Sequence, residues 1–302
     1  MFTGSDVIAL RQKTGAGVLD CKKALTEAGG DMEKAIELLR EKGLAAQAKK
    51  SGRIAAEGIV YTYVDEAKKV GVVIEVNAET DFVAKNESFQ SFVASCAKAV
   101  AEQNPATVEE LMACKADDQF TVEEALREKI LTIGENMKIR RFARYEGEVV
   151  TYSHGGGRIG VMVKFDAPAD IAAKDGFKAM AKDVAMQVAA ANPTYLDKAG
   201  VPADEIAKEK EILTQQAINE GKPANIAEKM VMGRINKYYK EVCLLEQPFI
   251  KDGDITVSKY IENCAKELGG EIKAVSFVRF EKGEGLEKRE DNFADEVASM
   301  MK

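Results

Sequence analysis

A chain of 302 residues that is 46% apolar can bury two or three cores. Its net charge of −7 argues against broad nucleic-acid binding, which needs surplus Lys and Arg. No apolar run approaches the ~18 residues of a membrane span, and the start, Met1-Phe2-Thr3-Gly4-Ser5-Asp6, lacks a signal-peptide pattern. Five scattered cysteines, none spaced as CxxC, and a single histidine argue against a disulfide framework, a zinc site and a multi-histidine metal cluster, so a cytoplasmic protein without a cofactor is expected.

Residues 1–53 depart from the acidic average, with ten Lys or Arg against seven Asp or Glu. That leaves +3 here and −10 on the remainder, the pattern of a basic end facing either an acidic partner patch or solvent. Three short helices are expected. Val7, Ile8 and Leu10 start the first, and Thr14-Gly15-Ala16-Gly17 breaks it. Val18, Leu19, Cys21, Ala24 and Leu25 give the second its helical spacing. Gly29-Gly30-Asp31 stops that helix and caps a third, carrying Met32, Ala35, Ile36 and Leu39, which Gly43 is expected to end. Lys49, Lys50, Ser51, Gly52 and Arg53 read as a linker. A bundle this small is marginal alone, which suggests that part of its apolar surface serves a partner.

Residues 54–146 read as strand, strand, helix, helix, strand: strands over 59–64 and 70–76, helices over 81–103 and 121–132, and a strand over 138–145. Residues 147–285 repeat the order. Glu57-Gly58 matches Glu146-Gly147, and Gly71-Val72-Val73 matches Gly160-Val161-Met162, both at an offset of 89. Phe89 meets Phe177 and Asn104-Pro105 meets Asn192-Pro193 at 88. Thr121-Val122, Gly134, Phe142 and Arg144 meet Thr256-Val257, Gly269, Phe277 and Arg279 at 135. Ordered blocks of this kind mark a duplication. The change of offset, 135 − 88 = 47, places an insertion in the second copy at about 198–245. It reads as an antiparallel helical hairpin, with helices over 203–220 and 224–242 turning at Gly221-Lys222-Pro223. Its seam is assigned to Ile206, Ile212, Leu213, Ile218, Ile226, Met230, Val231 and Ile235. A tail, 286–302, ends in a helix with Phe293, Val297 and Met300. The fold class is therefore α+β: a small N-terminal helical bundle, a duplicated core with antiparallel three-stranded sheets, a helical hairpin and a helical tail.

Nothing in the sequence has catalytic spacing: there is no P-loop, no HExxH and no Ser-His-Asp order. Gly155-Gly156-Gly157 could cradle a phosphate, but it reads as a flexible hairpin connection, with His154 as a solvated neighbour. In Asn77-Ala78-Glu79-Thr80-Asp81-Phe82-Val83-Ala84-Lys85, Thr80 or Asp81 is a natural N-cap. Phe82 then has two readings. Spacing to Phe89 and the matching Ile171 make it a core residue. The polar turn Lys85-Asn86-Glu87, separating it from the Phe89, Val93, Cys96, Val100 stripe, makes it a projecting one.

Thr14-Gly15-Ala16-Gly17, Asp20-Cys21-Lys22-Lys23-Ala24-Leu25, Thr80-Asp81-Phe82-Val83-Ala84, Ile133-Gly134-Glu135-Asn136 and His154-Gly155 together resemble the bacterial translation elongation factor Ts family. The resemblance covers essentially the whole chain, in order. It implies a guanine-nucleotide exchange factor for elongation factor Tu and no enzyme, with a ubiquitin-associated-like (UBA-like) N-terminal bundle. It further implies that Asp81 and Phe82, within the 80–83 corner Thr80, Asp81, Phe82 and Val83, wedge near the partner's nucleotide site and disturb its magnesium. Arg11, Val18, Leu19 and Lys22 would form an N-terminal contact face, Ile133 and Gly134 a core contact, and His154 a contact to a second partner domain. Val18 and Leu19 stand where members often carry methionines, and the region of Ile250 and Lys251 departs from the family pattern. Members differ in whether the hairpin mediates self-association. Two rival readings stay open: an adaptor or chaperone-like binding protein without exchange activity, and an enzyme using the glycine turn for a phosphate ligand.

Overall fold

Apolar spacing and caps build three helices at the N-terminus, α1 (Gly4–Thr14), α2 (Val18–Glu27) and α3 (Met32–Lys50), closing on Leu10, Cys21, Ala24, Leu25 and Ala35. The computed structural model describes residues 2–14, 16–221 and 224–287, except for the side chains of 224–229; the expected tail helix with Phe293, Val297 and Met300 lies outside them. Asp31 caps α3 as expected, accepting from the Lys34 amide at 3.1 Å. Gly43 does not end that helix, which runs seven residues further. The following Leu44, Ala45, Ala46 and Gln47 are strong helix formers and carry the helix through it. Lys49 and Lys50 are accordingly helical.

The first copy pairs β1 (Glu57–Asp65), β2 (Val70–Ala78) and β3 (Met137–Glu146) into an antiparallel sheet of that order. The single helix expected over 81–103 is two, α4 (Asp81–Ala84) and α5 (Glu87–Gln103). Asn86 accepts from the amides of Ser88 and Phe89 at 2.9 and 3.2 Å, which starts a new helix. A short α6 (Val108–Ala113), capped by Thr107, was not legible from spacing; α7 (Val122–Ile133) carries a full capping box.

In the second copy, β4 (Glu148–His154), β5 (Ile159–Asp166) and β8 (Lys273–Glu281) form the matching antiparallel sheet, with α8 (Ala169–Ala172), α9 (Asp175–Ala191) and α12 (Val257–Leu268) in the places of α4, α5 and α7. The repeated residues are those the backbone depends on. Asn104 and Asn192 end α5 and α9 at φ 51° and 46°, Gly134 and Gly269 end α7 and α12 at φ 88° and 78°, and Thr121 and Thr256 cap the starts of those two helices. Both central strands bulge at equivalent places, between Glu75 and Val76 and between Lys164 and Phe165.

The two sheets pack face to face through Val60, Val73, Met162 and Phe280. Gly71 and Gly160 permit this: a Cβ would lie 2.5 Å from Val149 Cγ1 at the first and 2.4 Å from Val60 Cγ1 at the second. The outer faces pack on α5 and α9, around Phe89 and Phe177. The molecule's middle is thus helix, sheet, sheet, helix, and β2 is buried along its whole length.

The insertion comprises α10 (Ala203–Asn219) and α11 (Ala224–Val242); a small ribbon of β6 (Pro248–Phe249) and β7 (Asp252–Thr256) follows it and leads into α12. Among the described side chains, the hairpin's seam is Leu213, Val231 and Ile235 with Tyr239, and the expected Ile226 lies outside them. Ile212 and Ile218 are 52% and 54% exposed, because two helices alone cover only one side of each other. Glu205 fastens the base, accepting from the hydroxyls of Tyr195 and Tyr238. No helix among the described residues is long and apolar enough to cross a membrane.

Candidate partner-binding corner

Where β2 ends, the chain turns through Glu79 and Thr80 into α4, and the turn is held from the far end of α7. Glu135 accepts from the Thr80 amide at 3.0 Å and its hydroxyl at 2.7 Å. Glu79 accepts from the Asn136 amide at 2.5 Å, and Asn136 donates through Nδ2 to the Arg53 carbonyl at 2.8 Å. Thr80 is therefore the N-cap by position, but its side chain is spent on Glu135 and caps nothing. Val83 is buried in the first core and anchors the short helix from below.

On this footing Phe82 stands 78% exposed, and the projecting reading of its sequence context is the one realised. The Lys85 ammonium lies over its ring, with Nζ 5.9 Å from the ring centroid and 2.8 Å from Asp81 Oδ2. The Lys85 ammonium holds the Asp81 carboxyl below the usual carboxylate range. The sequence match of Phe82 to Ile171 shifts by one residue in the structure, because the chain loses its residue before the short helix and not after it. Position for position along α4 and α8, Phe82 meets the exposed Asp170, and buried Val83 meets buried Ile171. The inward place on this helix is thus taken by Val83, and the aromatic beside it is left on the surface.

The other expected contact residues fall into three groups. Ile133 is half-buried on the first core and Gly134 is exposed, both directly preceding Glu135, so they adjoin the corner. Arg11, Val18, Leu19 and Lys22 are all exposed on α1 and α2, where Val18 at 49%, Leu19 at 73% and the unanticipated Ile8 at 59% make an apolar surface. His154 is exposed at the end of β4, with Nδ1 3.1 Å from the Tyr152 hydroxyl. Among the described residues, no hydrogen bond joins the α1–α2 group, the corner and His154 to one another.

The glycine turn beside His154 is not the flexible connection expected of it. All three glycines have positive φ, Gly157 is buried, and its carbonyl accepts from the Val60 amide at 2.8 Å. A Cβ on Gly157 would lie 2.2 Å from Ile59 Cγ1, so the turn is a seat for β1. Sequence reasoning missed Glu79, Glu135 and Asn136 as the corner's tethers. The Ile133-Gly134-Glu135-Asn136 motif was visible, but only the fold brings it to Thr80. No group of His, Cys, Asp and Glu among the described residues could hold a metal ion.

A family model described as Elongation factor TS matches residues 79–284, which span the corner, β3, the second sheet and the hairpin. Curated relatives extend the similarity over the N-terminal bundle. Elongation factor Ts of Clostridium perfringens (strain SM101) is 57% identical over 305 aligned residues, covering 99% of each chain. That of Clostridium botulinum (strain Eklund 17B) is 56% identical, covering 100% of this chain and 99% of its own. With the corner, the duplicated core and these relatives in agreement, the chain belongs to the elongation factor Ts family.

Proposed function

We propose that this chain is a cytoplasmic guanine-nucleotide exchange factor for elongation factor Tu, speeding GDP release during translation elongation. The observation that carries the reading is Phe82, a large apolar ring held 78% exposed on a corner tethered by Glu135 and Val83. Single exposed apolar residues are ordinary. One on a short, doubly anchored helix is preorganised to enter a partner's groove without an ordering cost. Asp81 beside it supplies a carboxylate, and together the two would disturb the partner's magnesium and nucleotide site.

Exchange is a coupling between two binding events: the factor weakens nucleotide binding by some ratio, and nucleotide weakens factor binding by the same ratio. Burying one phenylalanine is worth about 1.5–3 kcal/mol, or roughly 10–150-fold. Phe82 therefore supplies one share. The exposed α1–α2 surface around Arg11, Val18, Leu19 and Lys22, the Ile133-Gly134 edge and His154 would supply others. No bond is made or broken in this reading, so no general base is required.

Replacing Phe82 with Ala is expected to slow the release of a fluorescent GDP from elongation factor Tu by about 10-fold or more, with the melting temperature within a few degrees of the parent. Binding without any acceleration of release by the unaltered chain would instead support the adaptor reading.

A further inference from the structure

Glu75 is fully buried in the middle of β2, and the second copy has Lys164 at the matching place, so the duplication does not account for it. Its carboxylate is surrounded. Oε1 accepts from Asn77 Nδ2 at 3.1 Å, from Arg140 at 3.1 Å and from the Gly283 amide at 2.8 Å; Oε2 accepts from Arg141 Nε at 2.6 Å. A buried carboxylate is tolerated only when its lone pairs are met in this way. The donor of most interest is Gly283, 208 residues away, in the strap that follows β8.

That strap is held from the other side as well. Gly283 has φ 69°, and a Cβ on it would lie 2.2 Å from the Ala56 carbonyl oxygen, so only glycine fits between Ala56 and Glu75. Next to it, Lys282 pairs with Glu57 and donates its amide to the Arg158 carbonyl at 2.8 Å. Arg158 closes the glycine turn beside His154 and pairs with Glu281 at 3.1 Å. On the corner side, Asn77 spans Glu75 and the Glu57 carbonyl at 3.0 Å, three residues before Thr80. Lys282 is close enough to contribute to the lowered acidity range of Asp81. The strap thus lies between the two features that no direct hydrogen bond connects, the Asp81–Phe82 corner and the His154 turn.

We propose that Glu75 is a positioning residue for partner binding: by locking the 281–284 strap between the two copies, it fixes the corner and the His154 turn in one relative placement. This rests on the exchange-factor reading. Two contacts on one rigid body engage a partner together, the second at high effective concentration, and slack between them lowers affinity without altering either contact.

The test uses the full chain with Glu75→Gln, which keeps the shape but removes the charge, and Gly283→Ala, which pushes the strap off from the opposite side. Deuterium exchange of the amides in 281–285 reads the lock, and GDP release from elongation factor Tu reads its consequence. Expected for both variants are strap amides exchanging at least about tenfold faster, a half-saturating factor concentration raised about tenfold, and an unchanged maximal release rate, the order of effect of losing a charge-assisted hydrogen bond. Val188→Ala, a core change far from the strap, is expected to lower the melting temperature while leaving the half-saturating concentration alone. Faster strap exchange with unaltered GDP release would make Glu75 purely structural and overturn the proposal, as would unaltered strap exchange. If the parent chain does not accelerate GDP release at all, the exchange-factor reading fails and the positioning role falls with it, whereas the amide data still report the lock.

Discussion

Phe82 and Val83 are neighbours on one short helix, yet one is 78% and the other 5% exposed. The turn that leads into that helix is held by Glu135, which is expected to matter through Thr80, with which it makes two hydrogen bonds. Glu135→Ala should cost about 1–3 kcal/mol, the range for losing bonds to a charged, partly buried group, read by urea denaturation. It should also weaken exchange, because the corner loses one of its two anchors. Normal exchange in that variant would mean that Val83 alone positions α4. Period and spacing made Phe82 readable as either core or surface. They could not decide between these, because the turn before α4 is set by a partner, Glu135, that lies 55 residues from Thr80.

At the scale of elements, caps and breakers were the most legible features, since they act within a few residues. Asp31 reads as a cap and is one. Thr121 and the left-handed asparagines and glycines at helix ends were visible only as matches between the copies, though they follow the same local rules. Gly157 escaped those rules, because it is a glycine for the sake of a neighbour distant in sequence, Ile59. Gly43 escaped them because the strong helix formers after it outweigh one glycine. The inserted hairpin was located by offset arithmetic, but two residues assigned to its seam, Ile212 and Ile218, are exposed. With the exposed Met232 they leave apolar surface along its length, which makes the hairpin the surface to test for self-association. With 203–242 deleted, light scattering is expected to give the monomer mass if the hairpin pairs copies. A dimer surviving the deletion would assign the pairing elsewhere. Among the described residues, the core of the second copy contains none from 203–242, so the remainder of that copy should still melt cooperatively.

For the whole molecule, the consequential contact is sheet against sheet. Gly71 and Gly160 let two central strands approach where any side chain would collide. Gly160→Ala is expected to cost about 1–3 kcal/mol by overpacking, lowering the melting temperature by several degrees in a calorimetric scan. A neutral result would show that Val60 yields without strain. The sequence by itself determined the duplication, the α+β order of each copy, the site of the insertion and the family, because all of these are written in local pattern and in spacing that two copies share. Only the tertiary structure decided that Phe82 faces outward, that Glu135 holds its corner, that the glycine turn is a seat and that Glu75 binds a strap 208 residues away. Those outcomes depend on which side chains meet across long loops, and a residue's own neighbours in sequence carry no record of them.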